Sequence, residues 1–241
     1  MRVLVVENYP NTPLGQVAKA LDEAGAVREH IQPFAGGCVP TSSDGFDGLV
    51  LLGGAQNALD DDNHPWFPAT LDLVRDFEAR DKAVLGICLG AQLLARTFGG
   101  ENRIGGHYEF GWHRVTLDAE AAEDPIFAGL PDAFSIFEWH DDNFTLPPGA
   151  VRLASSPVAE VQAFRIGRAV YGTQFHFEAD RPQIEEWSET FADLLAEREP
   201  EWPARRGDLA ARHGEEADTM GLSLARAWVA AIRPAAGPAS S

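Results

Sequence analysis

The segment AVLGICLGAQLLARTFGG, Ala83 to Gly100, leaves little freedom in the architecture around it. Its first five residues form a compact aliphatic run of the kind that makes a strand buried on both faces. From Leu89 the apolar spacing turns helical, and the helix is expected to run to Phe98 and end at Gly99-Gly100. Between the two lies Gly86-Ile87-Cys88-Leu89-Gly90, a cysteine version of the G-x-S-x-G turn in which a strand bends sharply into a helix. Glycines on both sides permit that turn without Cβ clashes and are expected to leave the sulfur exposed. A helix N-terminus beneath a cysteine favours its thiolate, and the amides of the first turn point where an oxyanion would form. The plainer alternative is a small buried cysteine packed between glycines.

Such a turn belongs in a largely parallel sheet covered by helices, and the flanking sequence supplies the parts. Arg2–Val6 and Gly48–Leu52 are further buried strands, while Pro13–Gly25 and Trp66–Arg80 read as helices. The first helix follows Thr12, has a proline just inside it and meets Gly25, which suggests a cap at each end. Beyond Gly100 the texture changes. Trp112–Leu117, Phe134–Trp139, Val151–Ala154 and Glu160–Arg165 are short strands between Pro/Gly turns, so this half is expected to be more antiparallel. A strand over Ala169–Phe177 and a helix from Pro182 to Ala196 follow.

The reading gives a catalytic unit over residues 1–196 and a helical extension over 197–241. Met220, Leu224, Trp228 and Ile232 recur near helical spacing, which fits a helix packed on the core better than one reserved for a partner. The final PAAGPASS is expected to be disordered.

A formal charge of −18 argues against nucleic acid, whose phosphates demand a basic face. The opening MRVLVVENYP reads as a first strand, and no later run reaches about 18 apolar residues, so a cytoplasmic protein without membrane contact is expected. Two cysteines far apart, Cys38 and Cys88, make no disulfide framework and no zinc-type cluster. Cys38 has no histidine near it in sequence and reads as an incidental thiol. Asp60-Asp61-Asp62-Asn63-His64 lacks the glycine and distal glutamate of a calcium loop, and solvated loop charges explain it better.

Tyr171-Gly172-Thr173-Gln174-Phe175-His176-Phe177-Glu178 carries the second chemical signal. On a strand, residues two apart share a face, so His176 and Glu178 would lie side by side, with Phe175 and Phe177 turned to the core. That pairing suits a general base and the carboxylate that orients it. The alternative is a His and Glu facing solvent at a strand end. A third piece, Gly53-Gly54-Ala55-Gln56-Asn57, follows the strand at Gly48–Leu52. Loops after parallel strands line the active-site edge, and a Gly-Gly pair there can aim an N–H at an oxyanion.

Taken together, LLGGAQNALDDDNHPW, VLGICLGAQLLA, EFGW, FEWHDDNFTLPPGA and YGTQFHFE resemble the class I (triad) glutamine amidotransferases. The likeness runs from Met1 to Ala196 and is greatest to small stand-alone members similar to the glutaminase domain of GMP synthase. It implies a flavodoxin-like α/β fold: an open, mostly parallel sheet with helices on both faces. It also implies a triad of Cys88, His176 and Glu178 and an oxyanion hole from the backbone N–H groups of Gly54 and Leu89. Gly53 and Gln92 would help hold the substrate, with His140 and Trp139 bordering the pocket. No metal and no organic cofactor is implied.

The chain departs from the family pattern at three places. Phe177 follows the histidine where proline is usual, Asp141 interrupts a Trp-His-Gly-Asp motif, and Ala55 replaces the proline after the double glycine. None removes a catalytic group. Three functions are expected to compete: a glutaminase feeding ammonia to a synthetase partner, a self-sufficient γ-glutamyl hydrolase or peptidase, and a non-catalytic binding protein that kept the fold.

Overall fold

A computed structural model of the chain describes residues 1–233, so the expectation for PAAGPASS falls outside the described residues. In chain order the elements are β1 (Arg2–Val6), α1 (Gly15–Glu23), β2 (Val27–Ile31), β3 (Gly48–Leu51), α2 (Phe67–Ala79), β4 (Ala83–Ile87) and α3 (Leu89–Thr97). There follow β5 (Asn102–Arg103), β6 (Glu109–Leu117), β7 (Ala133–His140), β8 (Asn143–Phe144), β9 (Val151–Ser155), β10 (Ala163–Ile166) and β11 (Val170–Thr173). Four helices close the chain: α4 (Arg181–Thr190), α5 (Ala192–Arg198), α6 (Trp202–Leu209) and α7 (Glu215–Ala231), with a wide helical turn at Ala210–Gly214 between the last two.

Among the described residues the main sheet has nine strands in the order β2-β1-β3-β4-β11-β10-β9-β6-β7. The first five pair in parallel, which is the 2-1-3-4-5 order of a flavodoxin-like sheet. The remaining strands attach antiparallel, as the Pro/Gly-rich second half foreshadowed. Period-two alternation divides the core. Val3 and Val5 of β1 face the side covered by α1 and α7, while Leu4 and Val6 face the side covered by α2 and α3. All four are fully buried, the signature of a strand covered on both faces.

Several boundaries differ from the sequence reading, each for a local reason. Thr12 caps nothing: its hydroxyl donates to the Tyr9 carbonyl at 2.7 Å, and α1 begins at Gly15. The helix expected over Pro182–Ala196 is two helices that meet at Phe191, whose backbone has left helical geometry. The strand expected to reach Phe177 ends at Thr173. The edge strand β2, VREHI, has no continuous apolar run because most of it is at least partly exposed. The C-terminal segment is no loose appendage. Trp202, Leu224 and Trp228 are buried, and α7 packs against α1 and β7.

Candidate active site

Cys88 occupies the junction of β4 and α3 with φ +52° and ψ −110°, a backbone conformation that L-residues rarely adopt. Two hydrogen bonds hold it there: its N–H donates to the Thr173 carbonyl at 2.8 Å, and its carbonyl accepts from Gln92 N–H at 3.1 Å. The flanking glycines are steric requirements. A Cβ on Gly86 would meet the Gly90 carbonyl at 2.5 Å, and one on Gly90 would run into the Leu51 carbonyl. Strain held in place by such close packing is typical of a functional turn. The sulfur is not exposed as the glycines suggested. Cys88 is 6% accessible, and the thiol points to the Trp139 carbonyl at 3.7 Å.

His176 and Glu178 lie beyond the end of β11, His176 between a bend and a turn and Glu178 in that turn, so strand alternation does not bring them together. The turn does so instead. His176 Nδ1 is 2.6 Å from Glu178 Oε1, and the imidazole edge packs on Trp187 with ring centroids 5.4 Å apart. Three hydrogen bonds to two residues clamp the backbone of the turn. His176 N–H donates to Phe137 of β7 at 2.8 Å, while Gln16 of α1 donates from its backbone to Glu178 (2.8 Å) and from its side chain to Phe177 (3.0 Å). Since Phe175 and Phe177 are buried as well, no face of this segment reaches solvent.

With Nδ1 committed to Glu178, the other ring nitrogen is left for Cys88, whose sulfur acts on the imidazole electrostatically. Burial alone would lower the His176 pKa. The charges of Glu178 and Cys88 and the hydrogen bond to Glu178 outweigh it and raise the imidazole well above its ordinary value. Gly53 makes the meeting possible: a Cβ there would lie 3.3 Å from His176 Cε1 and 3.4 Å from Cys88 Cβ. Gly54 abuts Leu89, the first residue of α3, whose N–H has no acceptor within the helix.

Gln92, one turn into α3, directs its amide toward the Asp142 carbonyl (3.5 Å) and Gln174 Oε1 (3.4 Å). His140 is 4% accessible and donates from Nδ1 to the same Asp142 carbonyl at 3.0 Å. The segment 139–142 is therefore a wall shared by Cys88, Gln92 and His140. The extension holds it from outside: Arg198 grips Asp141 with two bonds of 2.5 and 2.6 Å and stacks on the Tyr108 ring at 4.5 Å.

Sequence reasoning did not single out Glu109 and Glu138. Glu109 stands opposite His140 in the β6–β7 register, and Glu138 is two residues before His140 on β7, so both share its face. Together they form a group of three donors able to hold a metal ion. Burial lowers the His140 pKa, but the hydrogen bond to Glu109, the adjacent Glu138 carboxylate and the charge of Cys88 push it up to about 10. The acidic run at Asp60–His64 is consumed locally: Asp60 accepts from Asn63, and Asp61 pairs with Arg96 at 2.6 Å. Cys38 is exposed. Among the described residues no helix is long and apolar enough to cross a membrane.

The family model described as glutamine amidotransferase class-I matches residues 19–191. The glutamine-hydrolysing GMP synthase subunit from Haloarcula marismortui is 35% identical over 201 residues, covering 81% of this chain and 94% of that protein. Its namesake from Thermoplasma acidophilum is 35% identical over 155 residues, 58% of this chain and 67% of that one. Among solved structures, a glutamine amidotransferase from Thermotoga maritima superposes with a TM-score of 0.86 at 25% identity and covers 97% of this chain and 98% of its own. One from Methylobacillus flagellatus gives 0.83 at 26% identity, covering 98% and 97%.

Proposed function

We infer, from a chain that belongs to the class I glutamine amidotransferase family, that Cys88 hydrolyses the side-chain amide of glutamine through a γ-glutamyl thioester. The observation that carries this reading is the strained elbow, which presents Cys88 to an imidazole fixed by Glu178 at 2.6 Å. The Cys88 thiolate attacks the amide carbon, and charge develops on the carbonyl oxygen. Backbone N–H groups of Gly54 and Leu89 take up that charge. His176, whose Nδ1–H is held by Glu178, takes the thiol proton of Cys88 on its other ring nitrogen and then gives it to the departing nitrogen, which leaves as ammonia. His176 then accepts a proton from water, whose oxygen attacks the thioester and releases glutamate. Gly53 leaves room for the reacting groups, and Gln92 and the wall at 139–142 hold the rest of the substrate.

The named relatives are glutamine-hydrolysing parts of a synthase. On that likeness the ammonia is proposed to pass to a synthetase partner rather than into solvent.

The test is ammonia release from glutamine by the purified chain, with Cys88→Ala as the blank. Activity that survives Cys88→Ala overturns the mechanism. Rapid, partner-independent cleavage of γ-glutamyl peptides, with glutamine inert, transfers the same machinery to a γ-glutamyl hydrolase. A thiol that no γ-glutamyl analogue can label leaves a non-catalytic protein.

A further inference from the structure

At the wall formed by residues 139–142 lies a buried group of ionisable side chains to which the proposed reaction gives no proton-transfer role. Glu109 (β6), Glu138 and His140 (β7) are 3%, 0% and 4% accessible, and one donor atom from each falls within 4.8 Å of the others. His140 Nε2 is 3.2 Å from Glu109 Oε2 and 3.4 Å from Glu138 Oε2. A cation bound at about 2.0–2.2 Å to imidazole and carboxylate ligands in tetrahedral or octahedral arrangement holds neighbouring donors roughly 3–3.5 Å apart. The observed spacings fall in that range.

Two further observations point to an ion. Both oxygens of Glu138 are shut off from solvent and accept no well-formed hydrogen bond, Oε2 facing His140 Nε2 at 3.4 Å, a costly state for a buried carboxylate. The surroundings also fix the other two groups as ligands usually are fixed. His140 donates its Nδ1–H to the Asp142 carbonyl, which turns Nε2 toward the carboxylates. Glu109 is held from outside the trio by Ser156 Oγ (3.0 and 3.1 Å) and Gln162 Nε2 (2.8 Å). Such outer contacts orient metal ligands and set their tautomers. Once His140 gives up its Nε2 proton as the ion binds, two carboxylates and a neutral imidazole carry two negative charges, which one divalent cation balances.

We propose that Glu109, Glu138 and His140 form a binding site for one first-row divalent cation of the zinc type, buried beside the Cys88 pocket. The mixed nitrogen and oxygen donor set suits Zn2+ or Mn2+ better than Ca2+. The ion ties β6 to β7 and backs the wall against which Gln92 and Cys88 pack. The claim concerns binding and is independent of the catalytic reading.

The test uses full-length, untagged protein carrying Cys88→Ser, so that the nucleophile cannot itself chelate. Metal content is measured by mass spectrometry as purified. The protein is then stripped with dipicolinate and titrated with Zn2+ by calorimetry, and the zinc absorption edge is recorded. The expected result is one ion per chain with only nitrogen and oxygen ligands, and a Kd weakened about a hundredfold or more by Glu138→Gln, since even outer contacts are worth ten- to a hundredfold. No uptake by the stripped protein overturns the proposal, and protons then balance the group. Equal affinity in Glu138→Gln and Glu109→Gln also overturns it. Should those variants fail to fold, stoichiometry and ligand type in the Cys88→Ser protein still decide.

Discussion

His176 Nδ1 and Glu178 Oε1 stand 2.6 Å apart although neither residue belongs to a strand. The contact selects the tautomer that keeps the proton on Nδ1 and leaves the second ring nitrogen for Cys88. Glu178→Gln keeps the shape but offers an amide that can present its NH2 to Nδ1 and stabilise the opposite tautomer. The turnover number for glutamine should fall by about a hundred- to ten-thousandfold, while KM stays within a few-fold. Stopped-time ammonia assays on wild type and variant give both constants. Unchanged turnover would remove Glu178 from the reaction.

The raised pKa of His176 has a consequence for stability. A histidine whose folded pKa lies above its unfolded value of about 6.5 binds its proton more tightly in the folded chain. Its contribution is complete below that unfolded value and is lost as pH rises through the folded one. The urea midpoint should therefore decline on the alkaline side of about pH 6.5. Cys88→Ala removes one cause of the shift and should flatten that decline. Parallel slopes for the two proteins in a pH series would show that the sulfur does not hold the proton on the imidazole.

Gly53 permits a test of fit without a test of folding. Its missing Cβ would sit 3.3 Å from His176 Cε1 and 3.4 Å from Cys88 Cβ, tight but not impossible. Gly53→Ala should leave the unfolding midpoint nearly unchanged while pushing the imidazole and the Cys88 side chain a few tenths of an ångström apart. A fall in kcat/KM of about ten- to a hundredfold is expected, in keeping with the cost of small misplacements. Equal losses of activity and stability would mean that the glycine serves the backbone alone.

What the sequence made legible follows from which interactions are local. The elbow was readable because Gly86, Cys88 and Gly90 answer a steric demand within five residues, and the strand and helix around it carry opposite periodicities. The buried strands β1, β3 and β4 followed from their aliphatic runs, whereas the edge strand β2 has no such run and was not legible. His176 and Glu178 were found on mistaken geometry: the spacing of two was read as strand alternation, whereas a turn clamped by Gln16 and Phe137 creates the contact. Burial of the sulfur and the Glu109–Glu138–His140 group stayed hidden because each needs β6, β7 and a distant loop to be placed first. Within β7, the two-residue spacing of Glu138 and His140 was visible, but nothing local distinguishes it from an exposed polar face.

The C-terminal helix reaches the same turn, and there the structure makes its least obvious demand. Gly221 of α7 lies so close to the Phe177 carbonyl that a Cβ would overlap that oxygen and the Gln16 side-chain nitrogen, which itself donates to Phe177 at 3.0 Å. Phe177 separates His176 from Glu178, so a methyl group on α7 must either push the helix off α1 or tilt the turn. Gly221→Ala should cost about 1–3 kcal/mol, the range for overpacking a filled interior, and lower turnover as well. Gly207 of α6 supplies the control. Nothing lies within 4 Å of its Cβ position, so Gly207→Ala should leave turnover alone and stabilise the fold by about 0.5–1 kcal/mol through helix propensity. Urea unfolding and ammonia release on the two variants separate a support for the turn from a general intolerance of alanine. If Gly221→Ala behaves like Gly207→Ala, the extension covers the core without touching the chemistry.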